Sequence, residues 1–188
     1  MWVYKEADLG DFDLTCVAAK FSPRSKFVGA TFYDGTKGVV KIFDVMWESI
    51  AWEFRLEEGK WNIYNGICWR PSAIDDGAVL VAVDTEGCVT KFNTETGEKE
   101  EIKTEFPTAR FNCIDYATNG NLYVTGGDDK IVRFFDDSTN QLITESDSYY
   151  TKNHSHSNRV FTSWFLPGSS DVCLTAGWDM NIIIHDVR

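Results

Sequence analysis

The chain has 188 residues, 43% of them apolar, and 18 basic against 29 acidic side chains give a formal net charge of −11. That length suffices for one domain with a substantial core, and no run approaches the roughly 18 apolar residues of a membrane-spanning helix. An acidic chain lacks the clustered Lys and Arg that a nucleic-acid backbone requires, so neither nucleic acid nor membrane is an expected partner; the charge reads first as a solvated acidic surface, with a basic partner as the alternative.

The N-terminus, Met1-Trp2-Val3-Tyr4-Lys5-Glu6, lacks the charged-then-apolar layout of a secretion signal. The cysteines at 16, 68, 88, 113 and 173 are odd in number and form no Cys-x-x-Cys pair. A reducing compartment is expected, the cytoplasm first and the nucleus as the alternative.

Along the chain, Trp2–Lys5 reads as a lone strand. Four units follow, over about 11–56, 57–105, 106–148 and 149–188. The first predicts strands at Val17–Phe21, Phe27–Phe32, Val39–Phe43 and Ser49–Leu56. The second predicts Gly66–Trp69, Val79–Val83, Val89–Phe92 and Lys99–Lys103, and the third Phe111–Tyr116, Leu122–Thr125, Ile131–Phe135 and Gln141–Glu145. The fourth has Val160–Phe165, Val172–Thr175 and Ile182–His185. In every unit the second and third strands are joined by turn-forming residues such as Gly126-Gly127-Asp128-Asp129, which tolerate the positive φ of tight hairpins. The aromatic closing each first strand, at Phe21, Trp69, Tyr116 and Phe165, recurs at intervals of 48, 47 and 49 residues. Strand-only units at this period predict an all-β propeller of about four four-stranded antiparallel blades. Trp2–Lys5 is then positioned to complete the last blade or a later one. The domain is read as a small or paired ring, or as the N-terminal part of a longer propeller.

With these elements in register the chain resembles the WD-repeat β-propeller family. His156 fits the family's histidine before the first strand, Phe21-Ser22-Pro23 the end of that strand, and Thr125-Gly126-Gly127-Asp128-Asp129 the turn. Phe43-Asp44, Phe135-Asp136 and His185-Asp186 fit the closing pair, and Phe92-Asn93 is a weaker copy. The resemblance implies a hydrogen-bonded staple in the fourth unit from His156, Thr175 and Asp179, with His185 in the place of the family's Trp. No unit has that Trp, so the other blades are expected to rely more on apolar packing.

The resemblance also implies a non-catalytic scaffold for a protein or peptide. No nucleophile elbow, His-Glu-x-x-His run or phosphate-cradling glycine loop is present, so no catalytic residue, metal or cofactor is expected. His154-Ser155-His156 has no third ligand at informative spacing, and Asn153-His154-Ser155 is a chance glycosylation match. The charge run Glu98–Glu105 reads as a solvated outer edge. Two loops per unit open on one face, and there the candidate binding residues are Tyr33, Asp34, Asp84, Arg110, Asp128, Arg159 and Trp178, rich in types found at binding hot spots. Trp178 has packing against the neighbouring blade as its competing role. The alternative function is a structural subunit that self-associates through blade edges, and an enzyme on a propeller platform stands behind it.

Overall fold

The computed structural model describes residues 14–56, 62–71, 78–146 and 155–188. They form fifteen strands and no helix. Blade 1 is β1 (Thr15–Phe21), β2 (Phe27–Tyr33), β3 (Gly38–Asp44) and β4 (Ser49–Arg55). Blade 2 is β5 (Tyr64–Trp69), β6 (Val79–Asp84), β7 (Cys88–Asn93) and β8 (Lys99–Lys103). Blade 3 is β9 (Phe111–Tyr116), β10 (Leu122–Gly127), β11 (Val132–Asp136) and β12 (Leu142–Ser146), and blade 4 is β13 (Val160–Phe165), β14 (Val172–Gly177) and β15 (Ile182–Asp186). Each sheet is an antiparallel meander in chain order, four-stranded in blades 1–3 and three-stranded in blade 4. The strand expected at Trp2–Lys5 lies outside the described residues.

Turn chemistry explains why the chain reverses where it does. Asp44 Oδ1 accepts from the backbone N–H of Met46 and Trp47, Asn93 Oδ1 from Glu95 and Thr96, and Asp136 Oδ1 from Ser138 and Thr139. The closing acidic or amide residue of the repeat is therefore the cap of the turn into the outer strand.

Blades stack through their inner strands, β5 against blade 1, β9 against blade 2 and β13 against blade 3. Blades 1 and 2 bury Phe27, Val40 and Ile42 against Tyr64, Trp69, Leu80 and Phe92. Between blades 2 and 3, Val81, Val83 and Val89 meet Phe111, Tyr116 and Phe135. Between blades 3 and 4, Val124, Val132 and Phe134 meet Val160, Phe165 and Cys173. A Cβ on Gly126 would stand 2.5 Å from Val160 Cγ1, so this glycine is what lets β13 approach.

Polar ties join the same blades. Lys20 of β1 reaches Asp115 of β9 (3.6 Å), which accepts the Phe165 N–H of β13 (2.8 Å). Blades 1 and 3 also share an arrangement the sequence reading missed. A buried cation on the third strand lies across from a glutamate on the outer strand, Lys41 with Glu53 (3.4 Å) and Arg133 with Glu145 (3.2 Å). Arg133 in addition lies over the Phe106 ring (4.1 Å).

Candidate loop-face site at the junction of blades 3 and 4

One irregularity repeats in all four blades. The register between first and second strands slips once, leaving an unpaired residue on the inner strand at Val17, Asn65, Asn112 and Phe161. Such a bulge re-aims the side chain it carries. Asn65 donates to Phe111 O (3.2 Å) and to Asn112 Oδ1 (3.2 Å). Asn112 in turn donates to Val160 O (3.1 Å) and to Asp128 Oδ1 (2.9 Å). The bulged asparagines thus hand one blade to the next along the axis. At blade 4 the series ends on an aromatic, because its bulged residue is Phe161.

Around Phe161 the loop face gathers a compact group. Phe161 packs on Trp178 with ring centroids 4.8 Å apart. The Arg159 guanidinium lies 5.6 Å from the Trp178 ring and pairs with Asp128 (3.5 Å), which Asn112 holds from behind. The Trp178 N–H donates to Arg159 O (3.0 Å), fastening the turn to the loop that leads into β13. Trp178 remains 64% exposed and Phe161 39% exposed. Of the candidate residues, Asp128, Arg159 and Trp178 are therefore brought together, with Phe161 and Asn112 as members the sequence reading did not name.

The remaining candidates stand apart from this group. Arg110 is exposed at φ 46°, and its carbonyl accepts the Asp128 N–H (3.2 Å) as that of Arg159 accepts Trp178. The two arginines are thus equivalent in the repeat. Tyr33 donates its hydroxyl to Gly35 O (2.7 Å). The Thr36 hydroxyl and Lys37 N–H hold the Asp34 carboxyl down to about 2, so this pair caps its own turn.

Asp84 is corrected. It is 2% exposed, β6 runs on to include it, and Asn62 Nδ2 donates to its Oδ2 (2.6 Å) while Glu86 and Cys88 N–H donate to its Oδ1. Asn62 Oδ1 accepts from the Thr85 hydroxyl (2.6 Å). Blade 2 therefore has a polar staple of its own, beside the apolar packing on which it was expected to rely more.

Behind the exposed group lies the blade 4 staple. His156 Nδ1 contacts Asp179 Oδ2 at 2.9 Å, His156 Nε2 contacts Thr175 Oγ1 at 2.8 Å, and Thr175 Oγ1 contacts His185 Nε2 at 2.8 Å. A carboxylate only accepts, so Nδ1 of His156 carries a proton. In the neutral ring Nε2 then accepts the Thr175 hydroxyl proton, and Thr175 Oγ1 accepts from His185 Nε2–H. His185 also meets the Phe134 ring edge-to-face (5.9 Å).

Burial, then the nearby His156, lowers the His185 imidazole to about 4. Burial alone would raise the Asp179 carboxyl, but the bonds from His156, Ser157 N–H and Asn181 N–H outweigh it and hold the group at about 2. Both groups carry less protonation in the fold than in the open chain. The His185 contribution is complete above its ordinary value of 6.5 and is lost as pH falls toward 4. That of Asp179 is lost only between 3.8 and about 2. Unfolding free energies from urea denaturation, followed from pH 7 to pH 4.5, should contain a fall of roughly 2 kcal/mol contributed by His185 after allowance for partial exposure, and His185→Gln should remove that part of the slope.

Burial raises the Cys113 thiol to about 11 and that of Cys173 to about 12, which makes them core residues, not nucleophiles. Among the described residues no group of three or more His, Cys, Asp or Glu is placed to hold a metal. His154 and Asn153 lie outside them.

Fold and repeat together define an all-β propeller of stacked antiparallel blades. Residues 101–136 match the family model "WD domain, G-beta repeat". Among solved chains, one from the crystal structure of a mitotic checkpoint complex superposes on 89% of this chain with a TM-score of 0.70 at 16% identity. This chain spans 45% of the length of that one, and at such identity the likeness is one of fold. No curated protein sequence matches it. The fold is thus that of a WD-repeat β-propeller, with one repeat matched directly at residues 101–136, and such propellers are in general protein-interaction scaffolds.

Proposed function

We propose that this chain is a non-catalytic scaffold that recognises a protein or peptide segment on the loop face where blades 3 and 4 meet. The observation that carries the reading is the pairing of exposure with fixation at Trp178. Its indole is 64% exposed, yet Phe161, Arg159 and its own backbone bond hold it in one place. A rigid aromatic–arginine anchor loses little conformational freedom on binding, the property of hot-spot residues. Asp128 and Asn112 supply the rigid backing. A cytoplasmic or nuclear setting agrees with the thiols of Cys68, Cys88, Cys113 and Cys173, buried in the core as small apolar groups.

Capture from the source cell by the full chain, beside a folded Trp178→Ala/Arg159→Ala variant, tests the reading. A partner held by the native chain should bind the variant about 30-fold or more weakly, the loss expected when hot-spot anchors are removed. Equal capture by both would sink the loop-face assignment.

A further inference from the structure

Blades 2 and 3 are each packed on both sides by other blades of the chain, and a groove runs between their outer strands. It holds two cavities, of about 590 and about 580 Å³, and Asn140 lines both. Each falls within the roughly 300–1,000 Å³ of a ligand pocket. The blade 2 wall runs along β8 from Glu98 to Phe106, and the blade 3 wall from Asp137 to Leu142. Alternate residues of a strand share a face, and the face of β8 turned to blade 3 carries Glu98, Glu100 and Ile102. Ile102 packs on the core that blades 2 and 3 share, and Glu100 stands opposite Lys91, whose ammonium reaches Asp137. The two cavities differ in chemistry. The second has an apolar floor of Phe106, Phe135 and Leu142. In the first, Arg70, Lys91 and Asp137 answer one another, and Lys91 also donates to Asn140 Oδ1 (2.8 Å). Glu98 and Glu100 line that cavity as well, both exposed, and among the described residues neither forms an ion pair. Lys99 and Lys103 border the groove from the other face of β8.

We propose that this groove binds an extended protein segment that carries an Arg or Lys and, four residues away, a large apolar side chain. The basic group enters the first cavity against Glu98 and Glu100, and the net charge of −11 favours a cation there. The apolar group covers Phe106, Phe135 and Leu142 in the second. Two cavities in a row suit an extended chain, because a compact solute fills only one of them. The spacing follows from β8. Glu100 lines the first cavity and Thr104 the second, and an extended segment covers their separation of roughly 13 Å in the same four residues. Between the two, the oxygen of the Asn140 amide is taken by Lys91, which leaves its nitrogen to donate to a carbonyl of the segment. This inference is independent of the loop-face reading.

Fluorescence anisotropy of labelled peptides of about nine residues, Ser and Gly apart from two fixed positions, tests it on the full chain. One set places Arg and Leu four residues apart, in either order. A second has Glu for Arg, and a third has Ser for Leu. The Arg–Leu set should contain a binder with a Kd on the order of 100 µM, and the other two sets should bind at least tenfold more weakly. Glu100→Lys, checked for folding by circular dichroism, should weaken the Arg–Leu binder at least tenfold and strengthen its Glu–Leu counterpart. Glu95→Lys makes the same change of charge on the exposed turn next to the groove and should alter neither by more than about twofold. Glu98→Lys replaces Glu100→Lys if that variant fails to fold. No binder in the first set, equal binding of the Arg and Glu sets, or an equal effect of the two charge reversals would each overturn the proposal.

Discussion

Replacing Asp137 by alanine should destabilise the chain by about 3–5 kcal/mol, the cost of removing one partner from a buried ion network. Asp137 is 3% exposed and lies where the turn after β11 meets blade 2. Its carboxylate accepts from the Tyr116 hydroxyl (2.6 Å), from Lys91 (3.0 Å) and from Arg70. Lys91 also donates to Asp137 O (2.9 Å) and Asn140 Oδ1 (2.8 Å). Burial alone would raise the Asp137 carboxyl, but Tyr116, Lys91 and Arg70 together hold it below the ordinary range. The group therefore adds stability above its unfolded pKa, lost as pH falls through the folded one. In the Asp137→Ala chain the Lys91 ammonium keeps only neutral oxygens in a buried place. The network joins blade 2 (Arg70, Lys91) to blade 3 (Tyr116, Asp137), and a repeat array is stabilised by such nearest-neighbour terms. Urea denaturation should show the loss, and hydrogen exchange should rise on both blades. Ser138→Ala, at the next and exposed position, should stay within about 0.5 kcal/mol of the native chain.

Thr175→Val is the second large effect, expected at about 2–3 kcal/mol. The substitution keeps the shape of the buried side chain but removes the hydroxyl that stands between the two histidines, 2.8 Å from each Nε2. Two ring nitrogens then lose their partner inside the blade. The staple ties β13, β14 and β15 to one another, so exchange protection should fall first in β13–β15 and leave blades 1–3 nearly unchanged. This local pattern separates it from the loss at Asp137, which should spread to both sides of an interior junction. Equal loosening of all blades would contradict the staple as a blade-local device.

The periodic part of this fold was legible because its causes are local. Alternating apolar residues and Gly-Asp turns mark strands and hairpins within a few residues, so the four units and their near-constant period could be read directly. The bulges at Asn65, Asn112 and Phe161 were not legible, since a one-residue slip depends on how the neighbouring strand pairs. Phe161 therefore looked like an ordinary strand residue, and its stacking on Trp178 went unforeseen. Asp84 looked like a turn residue because β6 was read one residue short, and its buried partner, Asn62, lies outside the repeat's aligned motif. The pairs Lys41–Glu53 and Arg133–Glu145 did leave a signal, a basic residue inside an apolar third strand with glutamate on the next strand at matching register.

The most direct test of the central claim is a hydrogen-exchange map of the full chain with and without the partner captured by it. Loop-face recognition at the blade 3–4 junction predicts new protection in the loop at 155–159 and the turn at 177–181, with little change at the exposed Met46-Trp47 turn of blade 1. Protection confined to that opposite turn, or to the outer strands β4, β8 and β12, would contradict it.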